Sequence, residues 1–102
     1  MAFQRIASKQ DIEEDKVYSF TTKFCDLAIV KRGNNFFAFE DVCTHDGGTI
    51  SEGELRGDVI ICPRHFAEFD IRNGKVLCMP ATEDLPVYPI RINGDEIEVD
   101  LE

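Results

Sequence analysis

Apolar residues recur along the chain in short runs of strand length, separated by small polar turns. Residues 3–7, 16–22, 27–32, 36–41, 58–62, 68–72, 75–78, 87–92 and 96–101 are rich in Val, Ile, Phe and Tyr, which predicts a strand in each. In 87–92 the residues Tyr88, Ile90 and Ile92 alternate with Val87, Pro89 and Arg91, so one face is expected on a core and the other in water. Gly33-Asn34-Asn35, Asn73-Gly74 and Asn93-Gly94 stand between such runs. These residue types tolerate positive φ, and they predict three β-hairpins. Only 8–15 has helical character, with Ser8 as a candidate N-cap and Asp11 three residues on, and it is short enough to be one turn. The predicted class is all-β, a small antiparallel β-sandwich or barrel. Segments 43–57 and 62–67 escape the strand pattern and are expected to be loops.

The 102 residues suit a single domain spanning 1–102, with no repeat or Ser/Gly-rich linker to divide it. Eleven Lys and Arg against twenty Asp and Glu leave a net charge of −9. Such a chain repels phosphate backbones and anionic lipid, which argues against nucleic acid and for a basic protein partner. The longest strongly apolar stretches, 36–39 and 59–62, are far below the ~20 residues of a membrane span. The first residues reach Lys9 and Asp11 without the apolar core of a secretory signal, so a cytoplasmic location is expected, with no membrane association. In that reducing compartment four cysteines suit metal binding or plain burial better than a disulfide framework.

The two loops carry Cys43-Thr44-His45 and Cys62-Pro63-Arg64-His65, using both histidines of the protein. Each loop thus offers one thiolate and one imidazole, and their convergence on a metal is expected. A Cys₂His₂ zinc site is one possibility, although the common finger pairs Cys with Cys and His with His. A two-iron cluster accounts for the repeated order directly, because one iron taking both cysteines and the other both histidines needs each loop to supply one ligand to each.

With these motifs the sequence resembles the Rieske [2Fe-2S] family, and closely the Rieske-type ferredoxins of bacterial ring-hydroxylating oxygenase systems. The resemblance extends to Gly53 and Gly57, to 66–70 with 73–75, to Pro80-Ala81 and to 87–90. It implies an antiparallel β base with an inserted cluster-binding subdomain at about 42–70, and one [2Fe-2S] cluster per chain. Cys43 and Cys62 would hold the inner iron, and the Nδ1 atoms of His45 and His65 the outer one. The implied role is a one-electron carrier, not an enzyme, that accepts from an NAD(P)H-dependent flavin reductase and donates to a terminal oxygenase. A monomer that docks both partners transiently through charge is expected. Within the same chemistry the alternative is a small subunit of an assimilatory nitrite reductase; from a different class it is a zinc-stabilised interaction module.

High-potential Rieske proteins of respiratory and photosynthetic complexes add a disulfide-forming cysteine to each loop, at positions held here by Gly48 and Arg64. They also place Ser and Tyr, donors of hydrogen bonds to cluster sulfurs, where this chain has Ala67 and Phe69. Without those donors, reduction is harder, and a potential between about −200 and 0 mV is expected. Cys25 and Cys78 are expected to be inert or partly exposed thiols. Pro80 and Ala81 are candidates for a third loop shielding the cluster. Asp46, Glu52, Glu54 and Glu68 are candidates for an acidic docking rim. Nucleophilic Cys-His catalysis lacks a third orienting group, and Gly47-Gly48 lacks the lysine and the strand-to-helix context of a phosphate loop.

Overall fold

The computed structural model describes residues 2–79 and 81–101. Eleven strands form three antiparallel sheets: β1 (Phe3–Ser8), β2 (Val17–Thr21), β3 (Asp26–Arg32), β4 (Asn35–Glu40), β5 (Glu54–Arg56), β6 (Val59–Ile61), β7 (Glu68–Asp70), β8 (Val76–Cys78), β9 (Val87–Tyr88), β10 (Ile90–Asn93) and β11 (Glu96–Asp100). Their orders are β1-β11-β10, β2-β3-β4-β9 and β5-β6-β7-β8. No helix of the described residues is long and apolar enough to cross a membrane.

The middle sheet is covered on both faces, and β3 shows why its sequence is an unbroken apolar run. Leu27, Ala28, Ile29 and Val30 are all fully buried. Leu27 and Ile29 pack with Ile97 and Val99 of the first sheet, whereas Ala28 and Val30 pack with Ile60, Phe69, Cys43 and Cys62. A strand with two dry faces has no polar side to alternate. The core is therefore divided by β3 and β4 into two halves, and the two cysteines of the expected site belong to one of them.

The three predicted hairpins form, joining β3 to β4, β7 to β8 and β10 to β11. Two of them close with two-residue turns whose first central residue is a glycine at positive φ, Gly33 at 61° and Gly94 at 65°. A fourth hairpin, β5 to β6, closes in the same way on Gly57 at 59°. It corrects the expectation that 43–57 is all loop. Strand β5 is Glu-Leu-Arg with only Leu55 partly buried, so it carries too little apolar periodicity to be read.

The run 87–92 is not one strand. It breaks at Pro89, which has no N–H to donate to a ladder. Strand β9 pairs with β4, while β10 crosses to the first sheet and pairs with β11. The alternation holds for Tyr88 and Ile90 and fades at Ile92, which is exposed. Within 8–15 only Lys9–Asp11 forms a 3₁₀ turn, and the backbone N–H of Ser8 donates to the Asp11 carboxylate at 3.3 Å.

Candidate metal centre

The two motif loops share one backbone frame. In the first, the N–H of Cys43 donates to the carbonyl of Gly48 (2.7 Å) and the N–H of Gly47 returns a bond to the carbonyl of Cys43 (2.7 Å). In the second, Cys62 donates to Ala67 (2.8 Å) and Phe66 to Cys62 (3.0 Å), the same offsets of five and four residues. The residue four beyond each cysteine is left-handed, Gly47 at φ 76° and Phe66 at φ 63°. The hairpin turn from Asp70 to Lys75 repeats the frame, with Gly74 at φ 78°. A bulky side chain at positive φ is a true outlier. Phe66 is one, and its ring is 69% exposed beside His65.

Each frame turns its cysteine inward and presents its histidine outward. Cys43 and Cys62 are fully buried between the sheets. Burial, then the neighbouring Cys62 thiol, push the Cys43 thiol above its usual range. The imidazoles of His45 and His65 lie at the surface with ring centroids 4.8 Å apart and planes at 83°. All four predicted ligands thus gather in one place, with the sulfurs buried and the imidazoles exposed. Two soft donors and two imidazoles in separate layers suit a two-iron cluster with differently ligated irons. Among the described residues, a further acid joins them: the sulfurs of Cys43 and Cys62 and a carboxylate oxygen of Asp46 lie within 4.8 Å of one another.

Asp46 was a candidate for a docking rim, but its carboxylate faces the second loop. It accepts from Arg64 Nε at 2.6 Å and from the N–H of Gly48 at 2.8 Å, and it lies 3.3 Å from Nδ1 of His65. The Arg64 guanidinium holds its carboxyl well below the usual carboxylate range. Glu52 accepts from the Thr49 hydroxyl and Glu54 pairs with Arg56, so these two remain surface acids.

The first loop is also anchored to β2 and to the segment before β9. Asp41, almost fully buried, accepts from the hydroxyls of Ser19 (2.7 Å) and Ser51 (2.7 Å) and from the backbone N–H groups of Ile50 (2.9 Å) and Ser51 (2.8 Å). Burial raises its pKa, but these four donors outweigh burial and hold it below the ordinary value. Nothing in the sequence around Asp41 announces this role. The Thr44 hydroxyl donates to the carbonyl of Glu83 (2.7 Å), tying the loop to the segment in which Ala81 and Leu85 are buried. Pro80, the other half of the predicted third loop, lies outside the described residues.

Cys25 and Cys78 are apart from the four ligands. Cys25 is half-buried with its sulfur 3.7 Å from the hydroxyl of Tyr88, and Cys78 is exposed at the end of β8. Burial first, and then the Cys25 thiol, raise the Tyr88 pKa well above its usual value.

Comparison with known proteins returns one consistent picture. The family model for the Rieske [2Fe-2S] domain matches residues 2–89. The 3-phenylpropionate/cinnamic acid dioxygenase ferredoxin subunit of Escherichia coli (strain K12) is 41% identical over 76 residues, which cover 74% of this chain and 72% of the relative. A chain from the complex of reduced oxygenase and oxidized ferredoxin in carbazole 1,9a-dioxygenase superposes with a TM-score of 0.89 at 31% identity, covering 95% of this chain and 91% of the other. The ferredoxin of Sphingomonas yanoikuyae B1 shares the fold at a TM-score of 0.93 and 22% identity, covering 99% and 100%.

Proposed function

Because this chain belongs to the Rieske [2Fe-2S] domain family, we propose that Cys43 and Cys62 hold one iron of its cluster and that His45 and His65 hold the other. One such cluster per chain follows from the family. The observation that carries the ligand assignment is the pair of matched loop frames, which bury two thiols and expose two imidazoles beside one another. When bound, the cluster supplies reversible storage of a single electron at a potential set by its ligands and their hydrogen bonds. The chain does the rest. Its two core cysteines keep water from the sulfur side, and its imidazoles form the edge at which a partner is met.

The protein is an electron carrier, the ferredoxin component of a dioxygenase system, and not itself the catalyst. It passes electrons to a terminal oxygenase; the structural likeness to a chain of an oxygenase–ferredoxin complex supports this over a nitrite reductase subunit or a zinc module. An NAD(P)H-dependent flavin reductase is the donor. Docking to both partners is transient and steered by the net charge of −9. The working form is a cytoplasmic monomer, in which 1–102 is a single Rieske domain and about 42–70 binds the cluster.

The test is analytical and then kinetic. Purified protein is expected to be red-brown with about two irons and two acid-labile sulfides per chain. Replacing Cys62 or His45 by Ala abolishes its electron paramagnetic resonance signal. A colourless protein holding one zinc overturns the cluster. Holoprotein reduced by a flavin reductase and NADH should be reoxidised by a terminal oxygenase in the presence of its substrate, and failure with a panel of oxygenases overturns the role.

A further inference from the structure

Gly47 and Gly48 are neighbours with different reasons to be glycine. Gly47 sits at positive φ with open space around it. Gly48 does not need a left-handed backbone; there, a Cβ would lie 2.8 Å from Cζ and Nη2 of Arg64 and 3.1 Å from its Nε. The guanidinium of the second loop therefore rests on the bare backbone of the first. From that seat Arg64 makes three bonds, all to the first loop: Nε to Asp46 at 2.6 Å, Nη2 to Asp46 at 3.2 Å and Nη2 to the carbonyl of Thr49 at 2.7 Å. The forked contact with the carboxylate is the strong, directional kind that lysine cannot reproduce.

Asp46 is also where the charge of this site is decided. Its carboxylate lies close to both buried sulfurs and to His65, and Arg64 is the cation that faces it. We propose that Arg64 is a positioning residue, a charged latch seated on Gly48 that closes the second ligand loop onto the first and cancels the Asp46 carboxylate beside the cluster. The inference rests on the ligand assignment above. It gives Gly48 and Arg64, where the high-potential branch carries cysteines, a joint task in this chain. Removing the guanidinium both unties the loops and leaves a negative charge that favours the oxidised, more positive cluster. Removing the carboxylate unties them and favours the reduced one.

These two effects separate in a set of holoprotein variants, each measured for reduction potential and for the rate at which its visible absorbance is lost to a chelator. Arg64→Gln is expected to lose its cluster roughly five- to tenfold faster and to take up an electron less readily. The reduction equilibrium should shift by about three- to tenfold, read as 59 mV per tenfold for one electron. Asp46→Asn also loses the cluster faster but shifts the potential upward, and the double variant returns the potential towards wild type while remaining labile. Gly48→Ala keeps every charge and displaces only the guanidinium, so it should match Arg64→Gln in lability with a smaller shift in potential. Wild-type lability in both Arg64→Gln and Gly48→Ala overturns the latch, and an unchanged potential in Arg64→Gln overturns the charge cancellation. Failure of the ligand assignment is seen separately, as wild-type protein without two irons and two sulfides. In that event the latch is read from metal-free chain with Cys25 and Cys78 replaced by Ser. Arg64→Gln should there raise the rate at which Cys43 and Cys62 react with a thiol reagent, and an unchanged rate overturns it.

Discussion

Asp41 is the residue whose loss should be felt most widely, because it satisfies donors on β2 and on the loop that follows Cys43. Asp41→Ala leaves two backbone N–H groups of that loop without an acceptor, and a stability loss of roughly 2–4 kcal/mol in chemical denaturation is expected. Asp41→Asn, which keeps one acceptor, should cost less. Ala67 and Phe69 bear on the potential instead. Both are fully buried in the same half of the core as the two cysteines, so hydroxyls introduced there have no water to turn to. Ala67→Ser and Phe69→Tyr should each raise the reduction potential above the expected range of about −200 to 0 mV. Redox titration of the holoprotein decides, and a native value well above about +100 mV would contradict the reading of these two positions.

The left-handed turn positions differ in sensitivity because their surroundings differ. At Gly74 a Cβ would sit 2.0 Å from the carbonyl oxygen of Leu85, whereas at Gly33 it would meet open space. Gly33→Ala should therefore cost only its φ strain, about 1 kcal/mol, while Gly74→Ala must also push the 81–86 segment away from the β7–β8 turn. Thermal unfolding is expected to separate the two clearly. Phe66→Gly runs the other way: it relieves a strained φ and should stabilise the metal-free chain by about 1 kcal/mol. Asp70, at the start of the β7–β8 turn, is held below its ordinary pKa chiefly by hydrogen bonds from Arg72. A carboxyl with a depressed folded-state pKa contributes stability above its unfolded value of about 3.9 and loses it as pH falls through the folded value. Denaturation midpoints should thus fall on acidification below about pH 4, and the fall should be shallower in Asp70→Asn.

At the scale of the whole molecule, twenty Asp and Glu against eleven Lys and Arg give a net charge of −9. If the carrier accepts from a reductase and donates to an oxygenase, as proposed, it is served by long-range attraction rather than by tight binding. Electron transfer from the reductase should slow as ionic strength rises from about 0.01 to 0.15 M, where the screening length shrinks from ~30 to ~8 Å. Reversing Glu52 and Glu68 together to Lys should lower the bimolecular rate with little change in potential, and the same reversals at Glu13 and Glu14 should matter less. Stopped-flow rates indifferent to salt and to the Glu52 and Glu68 pair would mean that the exposed apolar side chains Phe66, Leu77 and Met79 govern docking instead.

The all-β class, the hairpins at Gly33, Gly74 and Gly94 and the four residues proposed as ligands were legible in the chain, because each is written in residue types at short spacing: apolar runs, turn glycines, Cys-x-His and Cys-x-x-His. What escaped depends on residues far apart in sequence or on backbone without a compositional mark. Pro89 reads as part of a strand until the folded chain shows β9 and β10 going to different sheets. Strand β5 exists because β6 is there to pair with it. Asp46 and Arg64 carry a signal, opposite charges next to the two ligand histidines, yet 18 residues separate them and only the shared frame of the two loops sets them face to face. Local sequence specifies which groups can bind metal and where the chain can turn; the packing of one loop against another specifies which charges meet, because that contact energy exists only when both loops are in place.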